Sequence, residues 1–514
     1  MSLPRQLALA ALGGVLYFTG FVGFDVWPNV FLLFVPVLFA LEGTTPRRAL
    51  LIGVVFGAVT NSGGYYWVIH LLREFADLAL PLAVLGYLLL CLYQGSLLAV
   101  VVWLVRRADA ELGIRPVWSL PVAFMFSEHF YPLLFPSYVG NSLYTVPVLT
   151  QIVDVTGMPG LTALICLVNG AVYEALSAWR AKRKVSFIAL AAPAAAVALT
   201  LVYGVVQLGR WEAKVQAAPT LKVGMVQTNL GAKDKAGKRD LFIRRHQEMT
   251  QTLLAQVPDL DLVVWPESAY NRYIKRDTAN VRREVTAGID VPVIFGALTF
   301  SRGPDGEPDV FNTAVLTSST GQVLQLFDKV ELLMFGETLP LIETFPQLEK
   351  LFPHTGTFTR GKSFESFAVP RRGGAPVKVL PMICYEDIIP TFVRRMWRAG
   401  GPAAALVNVT NDSWYGDTHE PLIHLVLASF RSIETRRALI RSTNTGISAF
   451  VDPMGRITQR SGQWTQETLV AEVPLIEDGE STVYMKVGDV LPWLALGAVA
   501  WGAVRLRRRR PRPA

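Results

Sequence analysis

Cysteine is nearly missing. The 514 residues hold three, Cys91, Cys166 and Cys384. Three thiols so far apart exclude a disulfide framework and a thiolate metal cluster. Charge is also thin: Asp, Glu, Lys and Arg make up 18% of the chain, against roughly 25% in a typical soluble protein. Disorder needs high charge and low hydrophobicity, so it is excluded for most of the chain. There is no HExxH motif, no paired CxxC and no glycine-rich phosphate loop, so no metal and no cofactor is expected. No repeat of fixed period is visible.

Apolar residues, at 51%, are abundant, and they are clustered. A membrane-crossing helix needs about 20 of them in a row. Seven runs lie near 6–24, 28–42, 49–72, 78–105, 117–135, 160–179 and 187–208, and an eighth near 488–504. The run at 28–42 is the shortest. The small residues Ala8-Leu9-Ala10 stand at the start of the first run, not after it, so an uncleaved helix is expected. The expected organisation is a seven-span bundle over 1–208, an extramembrane domain over 209–486, and a last helix with a basic tail over 487–514.

The net charge of +8 raises the question of nucleic acid. Six of the arginines, Arg505, Arg507–Arg510 and Arg512, sit in the last ten residues, and without them the net charge is +2. That is a membrane-flanking cluster, and no nucleic-acid partner is expected. With eight spans, one side of the membrane holds Arg5, Arg47, Arg48, Arg106, Arg107, Arg115, Arg180, Lys182, Arg183, Lys184 and the six tail arginines; the short loops opposite hold Arg73 alone. Sixteen against one places both termini in the cytoplasm and 209–486 outside.

Within 209–486, short β-rich runs alternate with helical patterns. The runs are Leu221–Gln227, Leu260–Trp265, Val291–Leu298, Thr313–Leu316, Val323–Phe327, Val377–Cys384, Ala403–Val409, Gly446–Val451 and Glu467–Val473. Apolar positions recur every three or four residues over 239–256 and 420–438. The pattern predicts an α/β domain with buried sheets. Reacting groups in such domains stand at strand C-terminal ends. Cys384, the lone outward cysteine, ends one strand and is followed by Tyr385-Glu386-Asp387. Glu267 follows another in Trp265-Pro266-Glu267, and Lys329 a third in Phe327-Asp328-Lys329. Glu337 interrupts the apolar stretch Leu332–Leu341, where a charge needs a reason.

In that order, Glu267, Lys329 and Cys384 resemble the Glu-Lys-Cys set of the nitrilase superfamily. The surrounding words match too: Trp265-Pro266-Glu267, Phe335-Gly336-Glu337-Thr338-Leu339-Pro340, Cys384-Tyr385-Glu386, Asn408–Gly416 and Arg441–Gly446. A nitrilase-like domain between a seventh and an eighth span is similar to the membrane-embedded branch, the apolipoprotein N-acyltransferases of the bacterial envelope. Two departures stand out. Leu332-Leu333-Met334 precedes Phe335-Gly336-Glu337 where the family has Leu-Val-Pro, and no tryptophan lies between Trp211 and Trp265.

The resemblance implies an αββα sandwich beside the helical bundle. It implies ping-pong transfer of a fatty acyl chain from a phospholipid to Cys384. The thioester then passes it to the α-amino group of a diacylglyceryl-cysteine at an apolipoprotein N-terminus. Glu267 is the expected base and Lys329 the oxyanion partner, with Glu337, Tyr385 and Glu386 as supporting or substrate-binding residues. A monomer in the bacterial inner membrane, with a periplasmic catalytic domain, is expected, and 332–353 reads as a lipid-facing lid. The alternatives are a membrane-anchored nitrilase-type amidase acting on a small amide, a Cys–His hydrolase using His354, His419 or His424, and a transporter using Glu128 and His129.

Overall fold

The computed structural model describes residues 1–74, 76–231, 239–303, 306–333, 337–338 and 358–509. The expected lid over 332–353 lies almost wholly outside the described residues, as do His354 and the tail beyond Arg509. The chain divides into two compact units, Met1–Arg210 with Thr482–Ala514, and Trp211–Ser481.

The first unit is helical. Among the described residues, four helices are long and apolar enough to cross a membrane: Leu80–Leu112, Met158–Arg180, Phe187–Ala217 and Val490–Arg508. The bent pair Pro46–Gly64 and Val68–Glu74 makes a fifth if it acts as one span. The apolar runs at 6–24, 28–42 and 117–135 fall on shorter helices, Leu3–Gly20, Trp27–Leu41 and Pro116–Phe130. At about 1.5 Å per residue, the last of these reaches well short of a hydrocarbon core about 30 Å thick.

Helices in lipid associate through close backbone approach, which small residues permit. Here Gly57 meets Gly95 so closely that a Cβ on Gly57 would lie 2.0 Å from the Gly95 carbonyl oxygen. One buried acid of this unit is paired within it. Glu128 accepts from the Val139 N–H (2.8 Å) and from Thr162 Oγ1 (2.5 Å). It therefore ties helices together.

The second unit is built from two sheets. The strands are β1 Thr220–Gln227, β2 Leu262–Val264, β3 Tyr270–Lys275, β4 Val293–Arg302, β5 Pro308–Thr317, β6 Val323–Asp328, β7 Phe367–Val369, β8 Val377–Ile383, β9 Ala405–Thr410, β10 Ala438–Thr443, β11 Ala449–Val451, β12 Ile457–Arg460 and β13 Glu467–Pro474. One sheet has the order β13-β1-β2-β4-β5-β6, with β3 also on β4; the other runs β12-β11-β10-β9-β8-β7. The central pairs β1–β2, β2–β4, β8–β9 and β9–β10 are parallel. Their strands are buried on both faces, and β9 and β10 are buried at every residue. This accounts for continuous apolar runs in place of alternation.

Helix Arg239–Gln256 covers the first sheet. Leu253 joins Val226, Val263, Trp265 and Phe295 in one buried cluster. Helix Glu420–Thr435 packs on β10 and β11 of the second sheet. The sheets meet face to face, where Ser442 Oγ donates to the Val264 carbonyl (3.3 Å). The layers are helix, sheet, sheet, helix, as the resemblance implies.

Candidate active site

The carboxyl ends of β2, β6 and β8 bring three side chains to one buried place. Glu267 leaves β2 through Trp265-Pro266 and is 7% exposed. Its loop lies directly on β4: a Cβ on Gly296 would stand 2.5 Å from Glu267 Cα, so only glycine fits there. Lys329 follows β6 and is 1% exposed. Its Nζ lies 2.7 Å from Glu337 Oε2 and 3.7 Å from Glu267 Oε1. Asn312, in the middle of β5, joins the two acids: its Nδ2 donates to Glu267 Oε1 (2.6 Å) and to Glu337 Oε1 (2.9 Å). The Asn312 carbonyl accepts from the Lys329 N–H (2.8 Å).

Cys384 opens the short turn Cys384–Ile388 after β8 and has φ +52. A left-handed conformation costs a residue with a Cβ roughly 1–2 kcal/mol, so its surroundings must hold it there. Glu386 does much of this. Its Oε2 accepts from the Ile383 N–H (2.8 Å), and its Oε1 accepts from the Val330 (2.6 Å) and Glu331 (3.0 Å) N–H groups. One buried carboxylate thus ties the lysine loop to the cysteine turn. Asn408 on β9 donates to the Cys384 carbonyl (3.0 Å). Tyr385 is half-buried beside the turn, and burial, followed by the Glu331 charge, pushes its phenol up to about 12.

Burial lifts the Cys384 thiol well above its ordinary value, and the Glu267 charge adds to this; the Lys329 charge opposes it. The resting sulfur is therefore a thiol and needs a base at the moment of attack. Burial alone would lower the Lys329 ammonium. The charges of Glu337 and Glu267 more than offset that, so it stays protonated. Burial pushes Glu386 up to about 8 against the pull of its backbone donors.

A second buried set lies behind the thiol. His424 is hydrogen-bonded through Nδ1 to Asp412 (3.0 Å) and through Nε2 to Asp387 (2.9 Å). Arg441 donates to the same two carboxylates. Among the described residues, Asp412, Glu420 and His424 are the one trio with ligand atoms close enough for a metal ion. Both imidazole nitrogens already face carboxylates, and Arg441 fills the place of a cation.

All six site residues expected from the sequence, Glu267, Lys329, Glu337, Cys384, Tyr385 and Glu386, lie in this region. Sequence reasoning missed Asn312 outright; Asn408, Asp412 and Arg441 stood only inside the matching motifs and Asp387 only beside Glu386, none of them with a role at the site. A buried, strand-central asparagine beside two acids is the signal that could have found Asn312.

A family model described as Apolipoprotein N-acyltransferase N-terminal domain matches residues 13–171, and one described as Carbon-nitrogen hydrolase matches 222–478. An apolipoprotein N-acyltransferase of Geobacter metallireducens is 30% identical, with 98% of this chain and 96% of the relative covered. One of Bdellovibrio bacteriovorus is 29% identical, with 98% and 94% covered. Among solved structures, Saccharomyces cerevisiae Nit3 of the nitrilase superfamily covers 50% of this chain and 90% of its own at 18% identity and TM-score 0.38. The full-length match to the Geobacter protein, with both family models in order along the sequence, means that the chain belongs to the apolipoprotein N-acyltransferase family.

Proposed function

We propose that the protein moves a fatty acyl chain from a membrane phospholipid to the α-amino group of an apolipoprotein's diacylglyceryl-cysteine, through a thioester on Cys384. The observation that carries this reading is the buried convergence of Glu267, Lys329 and Glu337 around Asn312, with the Cys384 thiol under the electrostatic influence of Glu267 and Lys329.

Glu267 takes the thiol proton as sulfur attacks the acyl ester carbonyl. Lys329 and a backbone N–H beside Cys384 face the oxyanion, where losing one donor typically costs about 3–4 kcal/mol. The tetrahedral intermediate collapses, the lysophospholipid oxygen leaves with the Glu267 proton, and the thioester remains. The lipoprotein amine then attacks the thioester, giving its proton to Glu267, and the amide forms as the thiolate departs and is reprotonated. Glu337 holds the Lys329 ammonium, Glu386 holds the backbone on either side, and Tyr385 lies on the substrate side of the turn.

Both substrates are lipids, and pulling an acyl chain out of a bilayer costs about 0.8 kcal/mol per CH₂. A catalytic domain over 209–486, held by a seven-span bundle over 1–208 and a last span in 487–514, avoids that extraction. We assign the protein to the bacterial inner membrane as a monomer, with this domain in the periplasm and the three shorter helices crossing beside the longer ones. Family membership favours the transferase over an amidase.

The test is intact-mass analysis of the full-length protein incubated with phospholipid vesicles. A long-chain acyl adduct on Cys384 is expected, absent in Cys384→Ser and blocked in Glu267→Gln and Lys329→Met. Rapid adduct formation in Glu267→Gln would remove that residue as the base.

A further inference from the structure

The histidine behind the thiol has no place in the proposed chemistry, yet its surroundings are specific. Asp387 lies three residues after Cys384, on the same turn. Asp412 lies two residues after the end of β9, the strand whose Asn408 donates to the Cys384 carbonyl (3.0 Å). His424 on helix Glu420–Thr435 joins the two carboxylates from one side, and Arg441 on β10 joins them from the other, at 3.4 Å to Asp387 and 3.1 Å to Asp412. The result is a closed ring of two cations and two anions. Its exposures are 0% for Asp387 and Arg441, 1% for Asp412 and 5% for His424.

A neutral imidazole donates from one nitrogen and accepts at the other. Here both nitrogens face carboxylate oxygens, so only the doubly protonated ring satisfies both contacts. The charged groups around it are Asp387 from the cysteine turn, Asp412 from the loop after β9, Arg441 from β10, and Glu420 from its own helix. Burial and Arg441 disfavour the cation, but the two aspartates outweigh them and push His424 up to about 10. An imidazolium with both protons committed has no lone pair for the thiol.

We propose that His424 is a positioning residue for Cys384: as a buried cation it clamps the turn that carries the sulfur to the loop after β9 that carries Asp412. The inference rests on Cys384 being the acylated nucleophile. Without the imidazolium, two buried carboxylates share one guanidinium and repel each other. The turn and the loop then part, and the strained Cys384 backbone loses a support. A displacement of about 1 Å at a reacting atom can cost on the order of 100-fold in rate.

The experiment uses full-length protein in vesicles of phosphatidylethanolamine and phosphatidylglycerol, with acyl adduct on Cys384 followed over time. His424→Gln is expected to acylate about 100-fold more slowly at saturating lipid, with half-saturating lipid unchanged. Asp387→Asn should slow similarly, and the double variant should be no slower than either single one, because the two substitutions break one coupling. Acylation of His424→Gln at the wild-type rate would overturn the clamp. If the wild-type protein itself forms no adduct, the nucleophile assignment fails instead. NMR of ring-labelled histidine in the wild-type protein gives an answer even where the variants do not fold: a doubly protonated His424 ring at pH 7.5 is expected, and a neutral one overturns the proposal.

Discussion

Asn312 directs both hydrogens of its side-chain amide at carboxylates, Glu267 on one side and Glu337 on the other. A hydrogen bond to a charged acceptor is worth about 1.5–3 kcal/mol, and this one also aims the proposed base. Asn312→Ala should therefore slow acylation of Cys384 by roughly tenfold to hundredfold, with little change in half-saturating lipid. Asn312→Asp should be worse, since it sets a third carboxylate against two others. Unchanged initial rates of adduct formation in Asn312→Ala would remove it from the machinery. Glu267, Lys329 and Cys384 were legible in the sequence because each follows an apolar run that ends abruptly in a polar residue. Asn312 was not, because it lies between Phe311 and Thr313 inside a strand, and only the three-dimensional pairing brings the two acids to it. His424 was visible as a candidate base or ligand. The positioning role proposed for it depends on Asp387, Asp412 and Arg441, which no spacing rule connects.

Several elements with both faces buried were legible. Strands β1, β8, β9 and β13 fall within two residues of the apolar runs that announce them. Missed were β3, β7 and β12 at sheet edges, and the central, fully buried β10, whose Ala-Leu-Ile-Arg-Ser-Thr follows straight on from a helical pattern and carries three polar residues. An edge strand that faces water carries no apolar run to read. The resemblance supplied the layer order, which composition alone leaves open. At this scale, Gly296 matters because β4 and the Glu267 loop touch through it. Gly296→Ala forces backbone apart, at a typical overpacking cost of about 1–3 kcal/mol. Slower acylation in a folded protein is expected, and adduct time courses beside a melting curve will check it.

The ionic ring links a turn, a loop, a helix and a strand, so it also makes stability depend on pH. His424 is held near 10 against an ordinary 6.5. Its contribution is full below pH 6.5 and is lost as pH rises through 10. Asp412 is held near 2 against 3.8. Its contribution is present above pH 3.8 and is lost as pH falls through 2. Glu386 and Glu420, pushed by burial from 4.5 up to about 8, subtract stability as pH climbs through that range. The catalytic unit should melt highest near about pH 4 to 6 and progressively lower toward pH 10, and His424→Gln should flatten the alkaline limb. Thermal unfolding of the intact protein across that range measures it. A melting temperature that stays level from pH 6 to 10 in the wild-type protein would contradict the ring's charge state.

For the whole molecule, the sixteen-to-one loop asymmetry and the helix lengths make separate demands. The proposed orientation, with both termini on the cytoplasmic side, requires an even number of crossings. Among the described residues, four helices are long and apolar enough to cross and one bent pair can act as another, so the eight-span arrangement depends on Leu3–Gly20, Trp27–Leu41 and Pro116–Phe130 crossing as well. Single cysteines at Ser2, Gln459 and Ala514 separate the possibilities. They are placed one at a time in a Cys384→Ala chain, whose remaining thiols, Cys91 and Cys166, are buried. In cells with a permeabilised outer membrane, an impermeant maleimide should label position 459, which is exposed on β12. Positions 2 and 514 should react only once the inner membrane is opened. Labelling of 2 together with 459, and not 514, would mean that one of the shorter helices stays on one face and that the crossing number before the catalytic unit is even. Labelling of 514 with 459 would mean that the last helix does not cross. In the first case the loop charges would have lost to helix length, and in either case a re-entrant position for the failing helix would replace the eight-span arrangement.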